Sequence, residues 1–457
     1  MARIKEMDLT SGPIFKKLTI YAIPFIFTNI LQIFFSATDI AVLGIMVNDN
    51  AVAAVGANTS LNNMLVGLFV GLSIGTNVVL SRYVGAKDLE RSRRTVGTSI
   101  LLALIAGGIL LCVGVPMAET FLIWMGCAPE ILPMATVYLR IYFLGMPIMM
   151  VYNFSASILR AVGDTKRPLI FLAIGGVANV ILNVLFILMG MTVEGVAIGT
   201  IVSQFISATL TLSVLFKGNG YGSLKLKYLK IFKTQFKEIL AIGLPSGLQS
   251  LAFNISNVLI QSTVNSFGAV GMSANTTAQQ FDAIVYNVGN AVSMSTMSFV
   301  GQNIGAKRMD RVKRTIIDGA ILIFLIQFGV GGLFTIFAPQ LCGIIANSPE
   351  VIAWAVVRLT IMGLTYFICG EMEVCANSVR AMGKPIVSLI ISVCGASLFR
   401  ILFLEITFAI WPYFNTIFWS YAASWTFTTI VYWIVVPMVF KSVKRKIQEQ
   451  STLKAPN

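Results

Sequence analysis

Asp39 lies deep in an apolar stretch from 15 to 44 and ends a line of polar side chains, Asn29, Gln32, Ser36 and Asp39, at intervals of three, four and three. Those intervals place all four on one face of a helix. Ser250, Asn254, Asn257 and Gln261 draw a second line between 235 and 267, and Gln279, Asp282, Tyr286 and Asn290 a third between 273 and 303. Asn179 and Asn183, and Thr200 and Gln204, stand one turn apart further on. Any one such amide can simply tie two helices together, for about 1 kcal/mol or less. Helix contacts need only scattered polar groups, however, whereas these lines form continuous wetted faces. They predict a polar cleft among apolar helices.

Charge narrows the chemistry. Six acids lie in or at the edges of apolar stretches: Asp39, Asp282, Asp318, Glu371, Glu373 and Glu405. A carboxylate in a low-dielectric cavity favours its neutral form and can exchange protons near working pH. With amide oxygens beside it, the same group can hold Na⁺, and an organic cation competes for its charge. That is the minimal chemistry of ion exchange. Asp39 and the Glu371/Glu373 pair are the leading candidates. Glu371 and Glu373 are two residues apart and point to opposite sides of their helix. Glu373 shares a face with Asn377 and Arg380, so a structural ion pair competes with a functional role. Asp282 is open between the two. Asp318, just after Lys313 and Arg314, and Glu405 read as interfacial. The chain has no histidine, so a proton relay would run on carboxylates, tyrosine and water.

Enzyme chemistry finds no foothold. Gly71-Leu72-Ser73-Ile74-Gly75 matches a nucleophile pattern that requires a strand-to-helix elbow and a histidine base. Phosphate-loop, zinc-protease and dinucleotide fingerprints are missing. The six cysteines have no metal-ligand spacing and read as free thiols. We therefore expect no catalytic site, no cofactor, and no metal beyond Na⁺ at Asp39; the coupling ion would be H⁺ or Na⁺.

The elements that must carry these residues are transmembrane helices. With 56% hydrophobic and 11% charged residues and a mean hydropathy of +0.84, the 457-residue chain reads as a polytopic membrane protein. Twelve apolar runs can cross a hydrocarbon core of about 30 Å: 15–44, 51–81, 95–118, 131–159, 168–190, 193–216, 235–267, 273–303, 315–340, 351–379, 385–410 and 415–440. Pro24 and Pro245 sit early in spans 1 and 7, where each removes a helical hydrogen bond and permits bending. Gly67, Gly71 and Gly75 predict close helix contact in span 2.

A net charge of +14 would suggest a nucleic-acid partner in a soluble protein. Here 30 of the 33 basic residues fall on alternate connections and outside the end spans, all on one side. The basicity therefore reports topology, with both termini cytosolic, and no nucleic acid is expected. The other three, Arg140, Arg358 and Arg400, fall inside spans. The first span has no cleavage site after it and is retained.

Gly85-Ala86-Lys87-Asp88-Leu89-Glu90-Arg91-Ser92-Arg93-Arg94-Thr95 returns 220 residues later as Gly305-Ala306-Lys307-Arg308-Met309-Asp310-Arg311-Val312-Lys313-Arg314-Thr315, with six of eleven positions identical. Arg160-Ala161-Val162-Gly163 returns at Arg380-Ala381-Met382-Gly383. The fold class expected is all-α integral membrane, two parallel six-helix repeats around a central cavity. The lobes would be residues 1–220 and 221–457, joined by a lysine- and glycine-rich cytosolic linker at 217–235.

These residues resemble the multidrug and toxic compound extrusion (MATE) family over nearly the whole chain. The likeness rests on Asp8-Leu9-Thr10-Ser11-Gly12, Ile23-Pro24, Thr38-Asp39-Ile40-Ala41-Val42-Leu43-Gly44, Ala53-Ala54-Val55-Gly56, the two Gly-Ala-Lys connections, Leu159-Arg160-Ala161-Val162-Gly163-Asp164-Thr165 and Gly195-Val196-Ala197-Ile198-Gly199-Thr200. The resemblance implies export of organic cations against inward H⁺ or Na⁺. It makes Asp39 an ion-coupling residue beside Asn179, Asn183 and Thr200, and links Pro24 to helix bending. One branch of the family carries a span 7 glutamate near Phe253 and Asn254 that this chain lacks. A cation site built on it is therefore in doubt, with Glu371 a candidate substitute.

The expectation is a monomeric multi-pass transporter of the cell membrane whose partners are small organic cations and the bilayer. The alternative is a lipid-linked saccharide flippase, which would need a more basic cavity and draws on Arg140, Arg358 and Arg400.

Overall fold

The computed structural model describes residues 7–452, and every regular element among them is helical. The order is α1 (Ile14–Met46), α2 (Asp49–Gly85), α3 (Leu89–Trp124), α4 (Leu132–Leu144), α5 (Met146–Ala161), α6 (Lys166–Leu188), α7 (Val193–Lys217), α8 (Lys233–Asn265), α9 (Gly268–Gly305), α10 (Met309–Ile336), α11 (Ala338–Ile345), α12 (Pro349–Ala381), α13 (Pro385–Ser392), α14 (Arg400–Ile410) and α15 (Phe414–Thr452). The extreme ends, which bear on the expected placement of both termini, lie outside the described residues.

Ten helices among the described residues are long and apolar enough to cross a membrane, the run from Pro385 to Ile410 counting as one, and eleven when α4 and α5 also count as one span. Those two are bent by 50°. The sequence drew a single span at 131–159, but Pro147 near the start of α5 has no N–H to donate and disfavours helical backbone just before it. The predicted eighth span is α9, 38 residues long, which carries Asn275, Gln279, Asp282 and Asn290 and is not among the ten. The run at 385–410 is interrupted by a π-helical segment, Val393–Phe399, between α13 and α14.

The repeated signature produces repeated backbone. Lys87 and Lys307 both take up left-handed φ, +56° and +57°, in matching turns. The amides of Ala86, Lys87 and Asp88 bond to Arg82, Val84 and Tyr83, and those of Ala306, Lys307 and Arg308 to Gln302, Ile304 and Asn303. Gly163 and Gly383 close the Arg-Ala-x-Gly turns at φ +96° and +83°, where a side chain would be strained.

The chain forms two compact units. Phe27–Gly247 makes the body of the first; Leu9–Ile26 and the chain from Leu248 onward make the second. The expected division at 220/221 is therefore replaced by one inside α8, with the start of α1 exchanged as well. Physical packing explains this. The 217–235 segment is docked on α3: Phe232 N–H donates to Thr98, Arg93 donates to Ser223 and to the Asn219 carbonyl, and a Cβ on Gly97 would meet the Tyr228 carbonyl. The first half of α8 lies backbone-to-backbone on α2. Side chains at Gly71 and Gly75 would strike Gly247 and Ile239, so the predicted close contact uses these two glycines. In the second unit, Asn303 and Arg311 donate to the carbonyls of Leu9 and Gly12, and Tyr21 meets Phe299 edge-on at 5.6 Å.

Candidate functional site

Each unit has a polar cavity that gathers residues of the polar lines in the sequence. In the first, α1 supplies Gln32, Ser36 and Asp39, α2 supplies Thr59 and Asn62, and α4 supplies Tyr138 and Tyr142. Asn153 of α5, Asn179 of α6 and Thr200, Ser203, Gln204 and Ser207 of α7 complete the polar lining of a cavity of about 480 Å³. The helical spacing of the α1 line is what aims three of its members inward. Asn29, the fourth, is buried but does not line the cavity.

Asp39 is held entirely by neutral groups. Asn183 Nδ2 donates to Oδ1 at 2.6 Å and the Thr200 hydroxyl approaches Oδ2 at 3.4 Å. Asn179 Nδ2 donates to Thr200 Oγ1 at 3.3 Å. The Thr200 hydroxyl has one hydrogen and also lies 3.0 Å from the Val196 carbonyl, so it serves Asp39 only part of the time. Asn183 Oδ1 is buried without a partner. No lysine or arginine is among the residues lining this cavity. Asp39 is its only carboxylate, and no fixed cation neutralises it there. Tyr138 and Tyr142, stacked at 6.1 Å, and Asn62 were not singled out from the sequence, although Tyr138/Tyr142 and Asn58/Asn62 have the same one-turn spacing as the lines that were.

The second cavity, about 330 Å³, is lined by Asn254, Asn257 and Gln261 of α8, Gln279, Asp282 and Tyr286 of α9, Arg358 and Glu373 of α12, Arg400 of α14, and Phe418, Tyr421 and Trp425 of α15. Two expectations change here. Asp282 is paired with Arg358, whose Nε and Nη2 both reach Oδ2, at 2.9 and 2.7 Å. The third edge of Arg358 bonds Asn275, which donates to Gln261 at 3.0 Å. Asp282 thus serves as the counter-charge of a buried arginine. Sequence left it open because its partner lies 76 residues away on another helix. Glu373 lines this cavity and Glu371 does not, as their spacing required. Glu371 is half-buried and its Oε2 has no partner. Arg380, expected beside Glu373, donates to Asn377 at 2.6 Å, and Asn377 to Ser293. Arg140 pairs with Glu119 at 3.3 Å on exposed surface, and Asp318 with Arg314 at 2.8 Å. Pro24 and Pro245 lie inside α1 and α8. The chain passes from one unit to the other three residues beyond each of them. Among the described residues no group of acids or cysteines has the arrangement of a metal site.

Comparison with known proteins is clear about kinship. The MatE family model matches residues 24–185 and again 245–405. "Probable multidrug resistance protein YpnP" of Bacillus subtilis (strain 168) is 27% identical over 394 residues, covering 85% of this chain and 87% of its own. "Probable multidrug resistance protein YoeA" of the same organism is 25% identical over 389 residues, 83% and 84% of the two chains. Among solved structures, one described as the outward-facing conformation of a multidrug resistance MATE family transporter superposes with a TM-score of 0.90. It is 22% identical and covers 97% of this chain and all of the other. A likeness at that identity bears on the fold.

Proposed function

Because the chain belongs to the MatE family, whose members are transporters and not enzymes, we propose that it is a secondary antiporter that exports cationic or amphipathic organic compounds in exchange for H⁺ or Na⁺. One observation carries this reading: Asp39, the only carboxylate of a 480 Å³ cavity, is held by amide and hydroxyl groups with no basic residue in the lining. A carboxylate so placed keeps its charge available to a mobile cation. A proton, Na⁺ or an organic cation can each neutralise it, and mutual exclusion among them is the coupling an exchanger needs. Asn179, Asn183 and Thr200 orient the carboxylate; their oxygens, with Ser36, Gln32 and Gln204, suit a partly dehydrated Na⁺.

The relatives named for multidrug resistance support the substrate class. The segregation of basic residues supports cytosolic termini in the cell membrane. The change of unit just beyond Pro24 and Pro245 supports these prolines as bending points. The flippase reading needs a basic cavity; the cavity around Asp39 has no base, Arg140 is paired at the surface, Arg358 is paired with Asp282, and Arg400 is the one basic residue left to that reading.

The test is efflux of a fluorescent lipophilic cation from proteoliposomes under an imposed pH gradient and an imposed Na⁺ gradient, for wild type and Asp39→Asn. We expect one gradient to drive transport and the variant to lose it. Transport by folded Asp39→Asn at the wild-type rate would remove Asp39 from coupling. Inactivity of folded wild type under both gradients would overturn antiport of cations.

A further inference from the structure

Arg400 is the one arginine of the second cavity without an acid to balance it. Asp282 is consumed by Arg358. Glu373, the other acid of the lining, makes no ion pair with Arg400 among the described residues. Arg400, only 4% exposed, directly follows the π-helical segment Val393–Phe399, a local widening of the helix of the kind that recurs at functional positions. Its Nε donates to Ser424 Oγ at 3.0 Å and its Nη1 to Asn257 Oδ1 at 3.4 Å. Its guanidinium lies over the rings of Tyr421 at 4.2 Å and Trp425 at 5.7 Å. A guanidinium has five N–H groups, so three remain unengaged, one on Nη1 and both on Nη2. That edge is the one that meets a carboxylate or phosphate through two parallel hydrogen bonds.

We propose that this cavity is a binding site for organic anions: a carboxylate or phosphate seated on the Nη1/Nη2 edge of Arg400, attached to a flat aromatic body. Three features select that class. A cation inside a membrane protein without a counter-charge is costly, and supplying one from a ligand relieves the cost. The cation–π contacts hold the guanidinium plane while leaving its edge free. The walls beside it, Tyr286, Tyr366, Phe418, Tyr421 and Trp425, offer aromatic faces in a cavity of a size suited to one small molecule. Asn257 completes the site from α8 by fixing Nη1 and accepting weakly from the Tyr421 hydroxyl at 3.5 Å. The proposal does not depend on Asp39, which lies in the other unit, and it extends the ligand range beyond cations.

The probes are indole-3-acetate and its neutral isostere indole-3-acetamide, measured by equilibrium dialysis against the purified full-length protein in uncharged detergent. Wild type should bind the acid at least tenfold tighter than the amide. Arg400→Gln should lose that preference, and Arg400→Lys, a charge without the fork, should retain part of it. Inorganic phosphate and phosphatidylglycerol in mixed micelles serve as competitors. Displacement by phosphate alone identifies a soluble anion, and displacement by the lipid alone a headgroup; either supports an anion site. Equal affinity of wild type for acid and amide overturns the proposal without any variant. So does an unchanged preference in folded Arg400→Gln.

Discussion

The two polar cavities descend from one duplicated unit yet carry different electrostatics. Around Asp39 the lining holds one carboxylate and no base, and every contact to that carboxylate is neutral. In the second unit, Asp282, Arg358, Glu373 and Arg400 line the wall together, two acids with two arginines, and one of the acids, Asp282, is already neutralised by Arg358. The helical frame was copied, down to the left-handed lysines at Lys87 and Lys307, while the charges diverged. The lesson is that repeat symmetry predicts backbone and does not predict chemistry. An acid in each repeat is no evidence for an ion site in each.

The sharpest way to break the contrast is to neutralise one acid in each unit. Asp39→Asn should abolish gradient-driven export and leave thermal stability near wild type, because the carboxylate has no ion-pair partner to strand. Asp282→Asn should do the reverse in kind. It leaves Arg358 buried without its counter-charge, a loss of about 3–5 kcal/mol for broken buried pairs. A thermal melt of the detergent-solubilised protein would show a large downward shift. The double variant Asp282→Asn/Arg358→Gln should recover much of it. An unshifted melt for Asp282→Asn would mean the pair is not structural and would restore Asp282 as an ion-site candidate.

A smaller effect tests the helix contact that places the start of α8 in the first unit. Gly75→Ala puts a methyl against the Ile239 carbonyl and should destabilise by about 1–3 kcal/mol, the usual range for overpacking. Gly56→Ala, with open space at its Cβ, should be near neutral by the same melt. Equal shifts for the two would show that α2 and α8 are not in backbone contact.

Much of this was legible in sequence, and for definite reasons. Spacing alone put Gln32, Ser36 and Asp39 on a common face, and the structure gathers them in one cavity. Their neighbours Asn179, Asn183 and Thr200 were named through family resemblance, and the hydrogen bonds join them to Asp39. The opposed directions of Glu371 and Glu373 followed from helix geometry. Long-range pairing was not legible. Nothing local in the sequence reveals that Arg358 takes Asp282, or that Arg400 lies over Tyr421 and Trp425, because these meetings depend on how three helices cross. The exchange of Leu9–Ile26 between units was hidden for the same reason: the linker at 217–235 looks like a boundary by composition, whereas packing carries it and the start of α8 into the first unit.

That exchange yields the most delicate prediction. Each proline stands three residues before the chain changes units, so a bend there would let either half of α1 or α8 move with the body it packs against. Replacing Pro24 with alanine restores an N–H donor and removes the ring clash with the carbonyl four residues earlier, which straightens and stiffens the helix. The groups that hold Asp39 are untouched. We therefore expect Pro24→Ala to slow turnover a few-fold in proteoliposomes while equilibrium binding of the exported cation stays within about twofold, since a hinge acts on rate more than on the bound state. Pro245→Ala should act alike if both halves must flex and should be silent if only the Asp39-bearing unit rearranges. Paired rate and binding measurements on the two variants would thus decide whether the units share the conformational work or divide it as they divide the charge.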